Sequence, residues 1–102
     1  MQQRIKLKVL IVEDNLFDAE LIVRALKAAG IDADWERVDT ETDFQARISA
    51  DLDLIISDYA LPQFSGREAL RIVRSRGLDT PFILLSGTAL HRIVHGELPE
   101  LR

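Results

Sequence analysis

The chain of 102 residues contains no cysteine. That absence excludes a disulfide scaffold, a thiolate zinc site and a cysteine nucleophile. Long apolar stretches are also missing. The longest runs, such as Val9–Val12 and Phe82–Leu85, extend only four or five residues, too short to span a bilayer. No secretory signal opens the sequence, because Glu13-Asp14 closes an apolar stretch that is already too short for one. A cytoplasmic location is therefore the expectation. Basic charge is in deficit: 13 Lys and Arg face 17 Asp and Glu, for a net charge of −4, which argues against nucleic acid as a direct partner. There is no internal repeat and no low-complexity segment. What remains is an ordinary globular balance of 47% hydrophobic and 29% charged residues, too apolar for disorder and the right size for one domain.

Short apolar runs alternate with longer amphipathic ones. Lys8–Val12 is compact and β-branched, as a buried strand requires. Over Asn15–Ala29 the apolar positions Ala19, Ile22, Val23, Leu26 and Ala29 follow the helical period, with Asn15 placed to cap the start and Gly30 to end it. Ala33–Val38 predicts a second, more polar strand at an edge. Thr40 opens a short helix through Ala50 that turns Phe44 and Ile48 inward. Asp53–Ser57 reads as a buried strand, Ser65–Arg76 as a helix and Thr80–Ser86 as a fourth strand, with Pro81 at its start. The alternation β-α-β-α-β-α-β predicts an α/β fold, a doubly wound parallel sheet with right-handed crossovers.

Ligands of such sheets bind beyond the carboxyl ends of the strands. Glu13 and Asp14 follow the first strand, Asp58 the third, and Ser86, Gly87 and Thr88 the fourth. If the first and third strands are neighbours, three carboxylates converge on one crevice beside a hydroxyl. Their repulsion demands either a retained proton or a cation, and an all-oxygen set suits a hard ion such as Mg2+. A carboxylate so placed, with a small hydroxyl and backbone N–H groups nearby, is equipped to receive a phosphoryl group. The competing account makes Asp14 and Asp58 helix caps or turn formers. Glu13 and Asp14 cannot both cap one helix, however. Arg67, Arg71 and Arg74 share a helical face and read as a solvated one. His91 and His95 have metal-site spacing but no clear third ligand. Trp35 reads as packing.

Three segments together resemble the receiver domain of two-component response regulators: Val9–Asn15, Asp53–Pro62 with Ser65-Gly66, and Pro81–Gly87. The resemblance covers about residues 6 to 88 and implies a flavodoxin-like sheet of order 2-1-3-4, followed by a divergent tail over 89–102. It implies that Asp58 accepts phosphoryl, and that Glu13, Asp14, Asp58 and the backbone carbonyl of Ala60 hold Mg2+. Ser86 and Gly87 would contact the phosphoryl group, and Pro62 and Gly66 would shape the loop beneath it. The donor it implies is a histidine kinase or a histidine phosphotransfer domain. The chain would then be a signalling protein, at most transferring to itself and hydrolysing its own phosphoryl group, and Leu16 and Phe17 on the first helix would contact that partner.

The sequence departs from the family at its end. The fifth strand and helix are missing, no lysine follows Lys27 to pair with the phosphoryl group, and Leu98-Pro99 does not replace the usual lysine-proline pair. His91, Arg92 and Arg102 are the cations nearest in sequence. The departure is abrupt, as a frame change or early stop would produce. A fourth strand left at the edge would favour association of copies through Phe82–Leu85, and the loss of a β-α unit would leave a marginal domain. The alternative function is a phosphorylation-impaired module that docks, dimerises or sequesters a kinase.

Overall fold

A computed structural model describes residues 4–59 and 64–85. In chain order these form β1 (Ile5–Val12), α1 (Leu16–Ala28), β2 (Ile31–Val38), α2 (Glu41–Arg47), β3 (Leu54–Asp58), α3 (Gly66–Ser75) and β4 (Phe82–Leu85). The four strands make one sheet of order β2-β1-β3-β4, and every neighbouring pair is parallel. Parallel pairing aligns all four carboxyl ends at one rim: Val12 stands between Val38 and Ser57, and Asp58 stands beside Leu85.

The period-2 alternation of strand side chains builds two cores. Leu10, Val12, Ile55, Phe82 and Leu84 pack with Phe44 of α2 and Ala69, Leu70 and Val73 of α3. Val9, Ile11, Leu54, Ile56 and Leu85 lie on the other face with Ala19 and Ile22 of α1. Trp35 packs, half-buried, on that second core. Each helix starts at a side-chain cap. Asn15, Thr40 and Ser65 accept from the main-chain N–H groups of Asp18, Asp43 and Glu68, satisfying donors that the first turn leaves without a helical partner.

The element ends differ from the sequence expectation for local reasons. β1 and β2 begin at Ile5 and Ile31 rather than Lys8 and Ala33, since main-chain pairing continues there as Ile5↔Ile31 and Lys6↔Asp32. The side chains at this end are largely exposed, so the extension leaves no apolar run to read. α2 stops at Arg47 instead of Ala50. Ser49 accepts from Asp51 N–H through its hydroxyl and from Leu52 N–H through its carbonyl, making a turn in place of helix. Ile48 still reaches the core. β3 ends one residue later, at Asp58, and β4, described over Phe82–Leu85, begins at Phe82 rather than Thr80. Ser86 lies outside the described residues, as does the tail on which the expected association through β4 turns.

The arginine row on α3 divides. Arg67 and Arg71 are exposed, and Arg71 pairs with Glu68 at 2.8 Å. Arg74 is not part of a solvated face. Its Nη1 donates to the carbonyls of Leu78 and Thr80 at 2.9 and 3.1 Å, fastening the connection from α3 to β4. Arg74→Ala is expected to cost about 1–3 kcal/mol, because it strips a donor from part-buried carbonyls. Arg71→Ala is expected to cost under about 1 kcal/mol, since its ion pair is exposed. Urea denaturation of the two variants checks this, and equal losses would contradict it.

Candidate functional site

β1 ends at Val12, and the chain leaves the sheet through Glu13 and Asp14. Glu13 N–H donates to Val38 O at 3.0 Å, so its main chain is still tied to β2. Glu13 keeps the parity of Val9 and Ile11, which face the second core, and it is only 4% exposed. Its Oε2 accepts from Asn15 N–H at 3.0 Å, while the side chain of Asn15 caps α1. Its main-chain carbonyl accepts from Arg37 Nη1 at 3.1 Å, and the guanidinium also meets Asp39 at 3.8 Å.

Asp58 closes β3 next to this exit. Its carbonyl accepts from the hydroxyl of Ser57, which is fully buried, at 3.0 Å. The following residue is tied on both sides: Tyr59 N–H donates to Leu85 O at 2.8 Å, and Tyr59 O accepts from Gly66 N–H at 3.1 Å. Gly66 must come this close. A Cβ at that position would stand 2.5 Å from Leu84 Cδ2, 2.7 Å from Asp58 O and 3.1 Å from Ser57 Oγ.

The result is a three-carboxylate cluster. One oxygen from each of Glu13, Asp14 and Asp58 lies within 4.8 Å of the others, with Glu13 buried, Asp58 intermediate and Asp14 exposed. Neither Asp14 nor Asp58 caps the helix that follows it, because Asn15 and Ser65 do so. The capping account of these acids is thereby removed. Burial, chiefly, raises the Glu13 carboxyl from 4.5 to about 7. The Asn15 N–H opposes that rise, while a hydrogen bond with Asp14 and the negative charges of Asp58 and Asp14 reinforce it. The cluster therefore holds on to a proton in the absence of a cation. Its donors are all hard oxygens at the open rim, a set that fits a hard divalent ion.

Of the other residues singled out in the sequence, Ala60, Pro62, Ser86, Gly87, His91, Arg92, His95 and Arg102 lie outside the described residues. Leu16 and Phe17 open α1 beside the cluster, and both are exposed, Phe17 by 67%. Two contacts escaped the sequence reading. Ser57 looked like one more position in a strand. Arg37 was one more polar residue of the expected strand Ala33–Val38, and only the β1–β2 register, which sets it opposite Ile11, brings it to Glu13.

The sequence model described as the response regulator receiver domain matches residues 9–96. The "Probable transcriptional regulatory protein SilR" of Salmonella typhimurium is 35% identical over 94 residues, covering 90% of this chain and 41% of SilR. The chain thus spans about two-fifths of the length of that relative. A response regulator from Hahella chejuensis matches in structure with a TM-score of 0.64 at 36% identity, covering 80% of this chain and 64% of that one. The chemotaxis response regulator CheY4 of Vibrio cholerae gives 0.59 at 28% identity, with 78% and 67% covered.

The raised carboxyl of Glu13 has a pH signature. Between about 4.5 and 7 the folded chain keeps a proton that the unfolded chain releases, so this residue's contribution makes stability fall as pH rises through that window. With chelator present, Glu13→Gln should flatten that part of the slope and stabilise the protein at pH 7.5. Urea midpoints at pH 5 and 7.5 measure it, and an unchanged slope would count against the assignment. Gly66→Ala should lose about 1–3 kcal/mol through overpacking against Asp58 and Leu84. A wild-type urea midpoint would show that α3 can retreat without cost.

Proposed function

The chain belongs to the family of response regulator receiver domains, which act in two-component signal transduction, and on that footing we propose that it takes a phosphoryl group from a phosphohistidine onto Asp58 with Mg2+ bound at the acidic cluster. Such domains are signalling domains rather than classical enzymes. The observation that carries the reading is the approach of Glu13, Asp14 and Asp58 to within 4.8 Å at the carboxyl rim of a β2-β1-β3-β4 sheet. Glu13, Asp14 and Asp58 would hold the ion, together with the backbone carbonyl of Ala60. When bound, Mg2+ offsets negative charge on the phosphoryl oxygens.

The protein's own part is nucleophilic attack and positioning. An Asp58 carboxylate oxygen attacks phosphorus in line; the P–O bond forms as the P–N bond to the donor imidazole breaks, and the electron pair stays on that nitrogen. The product is an acyl phosphate on Asp58, which water later hydrolyses. The Ser57 hydroxyl and the close approach of Gly66 hold the Asp58 main chain still while its side chain reacts. Ser86 and Gly87 would meet the phosphoryl oxygens from the end of the fourth strand. The donor is a histidine kinase or a histidine phosphotransfer domain, and the exposed Leu16 and Phe17 beside the site offer it an apolar contact. Any role in transcription, such as the name of SilR states, belongs to the whole protein and would act through partners or further chain.

Acetyl phosphate or a phosphorylated histidine kinase should label the wild type only when Mg2+ is present, and Asp58→Asn should not label. Mg2+ at tenfold over its dissociation constant should add about 1.4 kcal/mol by mass action, roughly 5–10 °C in melting temperature for a domain of this size. Asp58→Asn should lose most of that gain. Label on Asp58→Asn at the wild-type level, or Mg2+ binding by the wild type with no label at all, would overturn the assignment.

A further inference from the structure

We propose that Arg37 is a positioning residue of the acidic site: its guanidinium holds the Glu13 carbonyl and so sets where the Glu13 carboxylate stands relative to Asp14 and Asp58. The inference rests on the Mg2+ reading above and deepens it.

The β1–β2 ladder runs out at Glu13. Glu13 N–H still finds a strand partner in Val38 O. Val38 is the last residue of β2, and two residues later the chain has left the sheet to cap α2 at Thr40. The Glu13 carbonyl accepts from a side chain instead, Arg37 Nη1 at 3.1 Å. Register explains the reach. Arg37 stands opposite Ile11, so Glu13, two residues further on and of the same parity, is its diagonal neighbour on one face of the sheet. Asp39 Oδ2 stands 3.8 Å from the same nitrogen, Nη1.

A buried acid two residues from the start of a helix needs its backbone fixed if its carboxylate is to have one position. Glu13 is fixed at three atoms: N–H by Val38, Oε2 by Asn15 N–H, and the carbonyl by Arg37. The first is a main-chain contact that any sequence of this fold could make, and the second joins the acid's own carboxylate to a main-chain N–H. The third depends on the side chain at position 37.

Charge and position predict opposite effects here, which makes the inference testable. An arginine beside a cation site repels the cation, so loss of its charge alone would tighten Mg2+ binding. Loss of its hold on Glu13 would weaken binding. Mg2+ affinity is measured by isothermal titration calorimetry on the folded chain, and melting temperature is recorded separately in chelator. We expect Arg37→Ala to raise the Mg2+ dissociation constant fivefold or more. Arg37→Met, which keeps an apolar stem without donors, should do the same and carries the test if Arg37→Ala does not fold. Arg37→Lys, which can still donate one hydrogen bond to a carbonyl, should stay within about threefold of wild type. Wild-type affinity in Arg37→Met, even with a lowered melting temperature, would show that the arginine only seals a strand end. Tighter binding would show that only its charge is felt. Either result overturns the inference and leaves the Mg2+ reading standing. A wild type that binds no Mg2+ overturns both.

Discussion

The site depends on one main-chain constraint, the parallel pairing of β1 with β3. Val12 is registered with Ser57, so the next residue of each strand, Glu13 and Asp58, must emerge side by side. No attraction between these groups brings them together; as carboxylates they repel. The pairing is enforced from below by Val9, Ile11, Leu54 and Ile56 on one face and by Leu10, Val12 and Ile55 on the other. Burial of these side chains sustains an electrostatically unfavourable rim, and the Glu13 carboxyl is raised chiefly by its own burial, with the charges of Asp58 and Asp14 adding to the rise.

Hydrogen bonds and close packing hold the main chain at Glu13, Asp58 and Tyr59. Ser57 and Gly66 crowd the Asp58 carbonyl, Leu85 and Gly66 take the polar groups of Tyr59, and Val38 and Arg37 take those of Glu13. Each of these contacts fixes backbone and leaves carboxylate oxygens directed at one another. On the proposed reading, a cluster held this way would offer a cation a largely formed oxygen set, and binding would need little reorganisation.

Much of this was legible in the residues. Strands such as Val9–Val12 are uniformly apolar because both faces are covered, and caps such as Asn15 and Ser65 announce helix starts by chemistry alone. The acidic crevice followed from a topological rule applied to Glu13, Asp14 and Asp58. What escaped reading was set by register or by competition at helix ends. Ile5–Leu7 pairs with only Leu7 half-buried, and Lys6 and Lys8 leave no continuous apolar run to read. Ser49 diverts the end of α2 by a turn that helical periodicity does not report. Arg74 read as surface charge and Arg37 carried no signal of its own, because an arginine that bonds carbonyls and one that faces water are the same letter. Arg37 lies 24 residues from Glu13 in the chain, whereas the carbonyls that Arg74 reaches belong to the irregular connection just after its own helix.

The outer strand β2 bears Asp32, Asp34 and Glu36 at alternate positions of one face, with an edge that no other strand pairs among the described residues. Were a second molecule to lay its own β2 along that edge, the two acidic rows would face each other at the spacing of adjacent strands. Like charges so juxtaposed oppose zippering of one sheet onto the next. The polarity that marked this strand as an edge in the sequence is also of the kind that disfavours fibre-like self-assembly along it.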